Sequence, residues 1–207
     1  MYTNDKQSFE ASKLLITVSA GVLQSGELEF VPALDTHYLR AIQQLGFGDV
    51  IKILLQFKTA FWTSAAADIG FILSDETIPA WWTQLPLKNN LLTGWLGGPG
   101  ATAKSGDTDE SLLQTALLSL SAIFHLPPAD LWKQLVHHKI ICWQHHKHIK
   151  GGYSFNTTDS AEAKKILAHP VHNAIFFAGE ALYRGQSQGT VEAALQSGRQ
   201  VAKKIKE

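Results

Sequence analysis

The chain has very little cysteine. Cys142 stands alone among 207 residues, which excludes an internal disulfide and fits a reducing compartment. It also lacks an excess of either charge. Lys plus Arg and Asp plus Glu number 18 each, so no long-range field draws nucleic acid or an anionic membrane to it. No apolar run reaches the roughly 20 residues of a membrane span. The opening MYTNDKQSFEASK is polar and has no apolar core of a signal peptide. Together these absences make the cytoplasm the expected location, with neither nucleic acid nor membrane as partner. A further absence concerns glycine placement. No strand runs into a G-x-G-x-x-G turn that opens a helix; GFGDVI has two glycines of the three and precedes a strand.

What is present is an apolar fraction of 45%, ample for a buried core. KLLITVSAGVL (Lys13 to Leu23) reads as a buried strand entering a turn at Gly21. Asp35 is placed to cap a helix with Leu39, Ile42 and Leu45 on one stripe and Gly46 as its terminator. GDVIKILLQF is a strand by its branched residues; alternation sets Val50, Lys52, Leu54 and Gln56 against Ile51, Ile53, Leu55 and Phe57. GFILS, IPAWWTQL and NLLTGWLGG follow as neighbouring strands of one antiparallel sheet. Six tryptophans occur, four of them from Trp62 to Trp95; core aromatics are their first reading and the wall of an apolar cavity the second. Asp107 and Glu110 have capping-box spacing ahead of a helix that buries Leu113, Ala116, Leu117, Leu120, Ile123 and Phe124. HKIICWQHHKH returns as a strand, GGYSF as a turn and short extended piece, and residues 156–172 as a polar loop.

Several motifs point less far than they promise. GPGATAKS (Gly98 to Ser105) nearly spells a phosphate loop, but Ala103 replaces its second glycine and Gly106-Asp107 interrupts the helix start. His146 and His148 alternate onto one strand face, yet no carboxylate or cysteine stands at ligand spacing, so no metal site is expected. Lys52, inside VIKILL, must snorkel to an edge or keep its ammonium in a polar pocket. At the end of the chain, IFFAGEALYRGQSQGTVEAALQSGRQVAKKI runs from strand to glycine-bearing loop to helix. Val191, Ala194, Leu195, Gly198, Val201, Ala202 and Ile205 form the expected buried stripe of that helix. Its start offers backbone N–H groups and the positive end of a dipole to an electron-rich group.

That terminal segment resembles the carboxyl-terminal flavin-binding signature of the flavin-containing amine oxidases, the superfamily of monoamine, polyamine and L-amino-acid oxidases and flavin histone demethylases. KLLITVSAGVL, AIQQLGFGDVIKILLQFKTAFW and CWQHHKHIKGGYSF are similar to further family segments, in family order across nearly the whole chain. The resemblance implies non-covalent FAD as cofactor and a small-molecule amine as substrate. It places Gly179 and Glu180 at the end of the strand, Glu180 along the ribityl and phosphate part of FAD. It sets Gly189, Thr190 and Val191 against the flavin's pyrimidine edge, and Trp143 near the ring. Lys52 matches the family lysine that reaches flavin N5 through a water, and Tyr153 an aromatic wall of the amine site; these two are the candidate catalytic residues. Three positions depart from the pattern: Ala20 for a turn proline, Gly152 for the cysteine that holds flavin covalently in some members, and Thr190 for a second cage aromatic.

The expected fold is mixed α/β: an antiparallel-rich substrate-domain sheet with packed helices, plus a strand-helix remnant of a Rossmann-like FAD domain. The expected division is a remnant strand in 1–24, a substrate-binding domain in 25–150 and an FAD-domain segment in 151–207. The missing pyrophosphate-gripping unit implies a chain inactive by itself. The expected partner is an amino-terminal FAD-binding chain or a second copy; a non-catalytic binding module is the alternative.

Overall fold

The computed structural model describes residues 1–206. In chain order the elements are β1 (Leu14–Ile16), α1 (Ala20–Gln24), α2 (Thr36–Gln43), β2 (Gly46–Phe47), β3 (Val50–Phe57), β4 (Phe71–Leu73), β5 (Ala80–Trp82), β6 (Leu91–Gly97), α3 (Pro99–Ala103), α4 (Asp109–Phe124), α5 (Pro128–Gln134), β7 (Leu135–Cys142), β8 (Ser154–Phe155), α6 (Ser160–Leu167), β9 (Ile175–Phe177) and α7 (Val191–Lys206). They form two compact units, residues 49–146 and residues 1–48 with 147–207. The fold is the expected mixed α/β one. Among the described residues no single helix is long and apolar enough to cross a membrane.

The 49–146 unit is a five-stranded antiparallel sheet in the order β4-β5-β6-β3-β7. Alternation along β3 decides its faces: Ile51, Ile53, Leu55 and Phe57 are buried to 1% exposure or less and join Leu92, Trp81, Leu112, Leu117 and Leu120 in the main core. Trp62 and Trp81 are core aromatics, whereas Trp82 and Trp95 are only half-buried, on the other face. Gly94 is required beneath Trp81, because a Cβ there would lie 2.7 Å from the indole.

Two local expectations change in this unit. The cap of α4 is Thr108, whose Oγ1 accepts the Ser111 N–H at 3.2 Å; Asp107 instead pairs with Lys104 at 3.1 Å. A hydroxyl one residue nearer the helix reaches the orphan N–H. The strand expected through HKIICWQHHKH stops at Cys142, opposite Ile51, and the chain turns at Trp143–His145. Pairing ends because β3 has only Val50 left beyond that register, so His146 and His148 do not share a strand face.

In the other unit, β1 pairs in parallel with β9, Leu14 to Ile175 through Ile16 to Phe177, and β2 pairs antiparallel with β8. Helices α2 and α6 pack together over Ile16, Tyr38, Ala41, Ile42, Ala163 and Leu167. The turn expected at Gly21 is the short helix α1, capped by Ser19 Oγ on the Val22 N–H at 3.2 Å. Gly21 serves close packing there, since a Cβ would meet the Lys150 carbonyl at 2.5 Å.

Asp35 occupies the cap position of α2 without a side-chain cap bond, Leu39 is exposed, and Gly46 belongs to β2 while Gln44 ends the helix. The polar loop expected over 156–172 contains α6. Its buried positions Ser160, Ala163, Lys164 and Leu167 have helical spacing but include a serine and a lysine, so no apolar period reveals it. Helix α7 is rotated from the expected stripe: Ala193, Ser197 and Val201 are buried, whereas Val191 and Leu195 are 72% and 58% exposed. Val201 packs on Phe176 and Ala178, with Ile205 beside it.

Candidate functional site

The candidate residues divide between the units. Lys52 and Trp143 belong to residues 49–146; Tyr153, Gly179, Glu180, Gly189, Thr190 and Val191 belong to the other unit.

Lys52 stands on the sheet face opposite the core, in register with Trp95 on β6 and Ile141 on β7. Its Nζ lies 5.5 Å from the centroid of the Trp82 ring, so the ammonium has an aromatic face as partner. Such a contact contributes about 0.5–2 kcal/mol, more as water is excluded. Phe71 extends the surface, 6.3 Å from Trp82, and Gln84 Nε2 donates to buried Thr93 Oγ1 at 3.1 Å. This face is a half-buried aromatic platform that carries Lys52, with Lys139 of β7 farther along it, in register with Leu54. Trp143 lies in the turn after β7, its ring 5.9 Å from that of His146. Burial, reinforced by the Asp109 charge, pushes the Cys142 thiol up, which disfavours the thiolate a nucleophile needs. Among the described residues no group of three or more His, Cys, Asp or Glu could hold a metal.

The other unit converges on Glu180. Two residues beyond β9 stands Gly179, whose φ of +151° favours glycine and whose N–H donates to Ser197 Oγ of α7 at 3.1 Å. The next residue, Glu180, turns its carboxylate onto protein donors: Oε1 accepts the Ser154 N–H at 3.1 Å, and Oε2 accepts Ser154 Oγ–H at 2.6 Å and the Gly189 N–H at 3.1 Å. Gln188 Nε2 completes the cluster, donating to Ser154 Oγ at 2.8 Å. One carboxylate thus ties β8 to the loop that opens α7. Thr190 is the cap of that helix, its Oγ1 accepting the Ala193 N–H at 3.2 Å. The first-turn N–H groups of Val191 and Glu192 have no intrahelical acceptor. Tyr153 is 46% exposed, and its Cβ lies 3.7 Å from where a side chain at Gly189 would begin. Tyr153, Glu180, Gly189 and Thr190 are therefore neighbours. Ser154, Gln188, Lys164 and Trp82 join these sites without any motif in the sequence to mark them.

Gly179 and the α7 start fit a flavin. Nothing lies within 4 Å of where a Cβ at Gly179 would stand, so a ligand can approach that backbone, and the helix end offers N–H groups and positive dipole to an electron-rich edge. The Glu180 carboxylate accepts from Ser154 and Gly189 and so ties the α7 start to β8.

A chain with a strand–glycine–loop–helix segment in one unit and a lysine-bearing antiparallel sheet in the other defines a class that comparison with known proteins identifies. The model of the flavin containing amine oxidoreductase family matches residues 1–206, and the chain belongs to that family. Similar proteins include lysine-specific histone demethylase 2 of Homo sapiens, 32% identical over 213 residues, and lysine-specific histone demethylase 1B of Mus musculus, 30% identical over 210 residues; each alignment covers 98% of this chain and 25% of the relative. The peroxisomal N(1)-acetyl-spermine/spermidine oxidase of Bos taurus is 26% identical over 220 residues, covering 94% of this chain and 42% of that protein. The chain thus spans about a quarter of the length of these two demethylases.

Proposed function

We propose that this chain is the carboxyl-terminal portion of an FAD-dependent amine oxidase and works with a polypeptide that supplies the pyrophosphate-gripping unit. The observation that carries the reading is the β9–Gly179–α7 unit, with open backbone at Gly179 and a capped helix start held by Glu180. FAD, when bound, would accept the hydride equivalent that leaves the amine C–N unit, giving an imine that hydrolyses, and oxygen would restore it.

The chain's own residues have distinct tasks in this reading. The Val191 and Glu192 N–H groups and the α7 dipole stabilise negative charge on the edge of a bound ring. Lys52 offers an ammonium held on an aromatic surface. Tyr153 supplies an aromatic wall that favours approach of an amine, and Trp143 would stand near the flavin ring. The names of the relatives point to an alkylamine borne on a longer chain, a protein lysine or a polyamine, as the substrate class. Without the glycine-rich unit the isolated chain has no turnover, and the cytoplasm is the proposed location.

Co-expression with the neighbouring reading frame tests this. A yellow complex whose flavin band bleaches anaerobically with N-methylated lysine peptide or N-acetylated polyamine is expected. A colourless complex, or a flavin band that neither amine bleaches, overturns the reading.

A further inference from the structure

Ser154 is 6% exposed on β8, and its hydroxyl has one proton for two neighbours. Glu180 Oε2 takes it at 2.6 Å, because a carboxylate accepts and cannot donate. Ser154 Oγ can therefore only accept from Gln188, 2.8 Å away, which fixes that carboxamide with its NH2 toward the serine. Gln188 Oε1 is buried and meets no donor among the described residues, so the bond to Ser154 is what seats this side chain. Residues 184–187 ahead of it are exposed. The next residue, Gly189, gives its N–H to the same Glu180 oxygen at 3.1 Å. Ser154 also grips the carboxylate twice, N–H on Oε1 at 3.1 Å and Oγ–H on Oε2. Two parallel bonds from one residue fix the plane of the group as a single bond would not.

The residue before it, Tyr153, is held by its backbone, whose carbonyl accepts the Gly48 N–H at 3.2 Å. Its Cβ and Cδ2 lie 3.7 and 3.9 Å from where a Cβ at Gly189 would stand. We infer that Ser154 is a positioning residue: its hydroxyl, donating to Glu180 and accepting from Gln188, keeps the Gly189 turn against Tyr153 and so sets the aromatic side chain relative to the start of α7. The clamp stands on these contacts; its consequence for an amine held beside a flavin rests on the function proposed above.

Nuclear magnetic resonance on the purified chain tests the inference, comparing wild type with Ser154→Ala, Gln188→Met and the double variant. A nuclear Overhauser contact between the Tyr153 ring and the Gly189 Hα is expected in wild type and lost in Ser154→Ala. The Gly189 amide of Ser154→Ala should exchange about tenfold faster relative to those of Phe177 and Val201, the effect of one charge-assisted hydrogen bond. Gln188→Met, which keeps the length and donates nothing, should speed Gly189 by about fivefold, the effect of a neutral bond. In the Ser154→Ala background it should add less than about twofold.

Three results overturn the inference. These are a Tyr153–Gly189 contact absent from wild type or kept in Ser154→Ala, an equal rise in exchange at Gly189, Phe177 and Val201, and full additivity in the double variant. If Ser154→Ala does not fold, Gln188→Met carries the comparison through the same contact and amide; loss of fold in both overturns the positioning role. Titration of the same proteins with FAD separates the two readings. A lost contact with weaker FAD binding supports both, whereas a lost contact with unchanged FAD binding leaves the positioning role standing and counts against the flavin reading alone.

Discussion

Replacing Glu180 by glutamine keeps the shape of the side chain and removes only its charge and one acceptor oxygen. The carboxylate serves two backbone donors from two different oxygens, Ser154 N–H on Oε1 and Gly189 N–H on Oε2, each at 3.1 Å. A carboxamide has a single oxygen. Whichever way it turns, one backbone N–H faces an NH2 group, and a donor left without an acceptor costs about 1–3 kcal/mol. The Ser154 hydroxyl, 2.6 Å from Oε2, can rotate to accept from the amide, but bonds to a neutral group are about half as strong as those to a carboxylate. The sum is about 2–4 kcal/mol of lost stability, or a fall of about 4–16 °C in unfolding midpoint for a chain of this size. Urea unfolding followed by far-ultraviolet circular dichroism measures it. A Glu180→Gln variant within about 0.5 kcal/mol of wild type, the scatter of an ordinary surface substitution, would refute the reasoning that the carboxylate is a clamp.

The rotation of α7 predicts a contrast between Leu195→Lys, at a 58% exposed position, and Val201→Lys, at one 8% exposed and packed on Phe176 and Ala178; the first should stay within about 0.5 kcal/mol of wild type and the second lose more than about 3 kcal/mol by urea unfolding. Gly94→Ala sets a methyl 2.7 Å from buried Trp81 and should cost about 1–3 kcal/mol, with an altered tryptophan emission spectrum; unchanged stability would show that the indole moves freely. Burial pushes the Lys164 amine down, the Glu180 charge only partly opposing it. Between the folded value and the ordinary lysine value of about 10.4 the unfolded chain binds more protons, so stability should rise with pH across that alkaline window. The rise should shrink in Lys164→Met, and equal slopes in both proteins would count against a buried charge.

What the sequence determined by itself is the part in which apolar residues recur with the local period. In VIKILLQF every residue of the Ile51, Ile53, Leu55, Phe57 face is apolar while Lys52 and Gln56 interrupt the other, so the buried face of β3 could be read directly, and α4 showed its core at Leu113, Ala116, Leu117 and Leu120. The order of family segments likewise marked the family, because such motifs are contiguous in the chain. Tertiary structure alone decided the rest. Helix α6 buries a serine and a lysine that pair with Thr157 and Asn156 just ahead of it, and α7 could turn either of two faces inward until Phe176 of β9 and the adjoining Ala178 met Val201. The partner of Lys52 is Trp82, 30 residues along the chain but a short step across the sheet. The carboxylate of Glu180 meets Ser154, 26 residues earlier. Hydrogen-bond direction and side-chain burial depend on which segments meet in space, and local pattern carries no record of that.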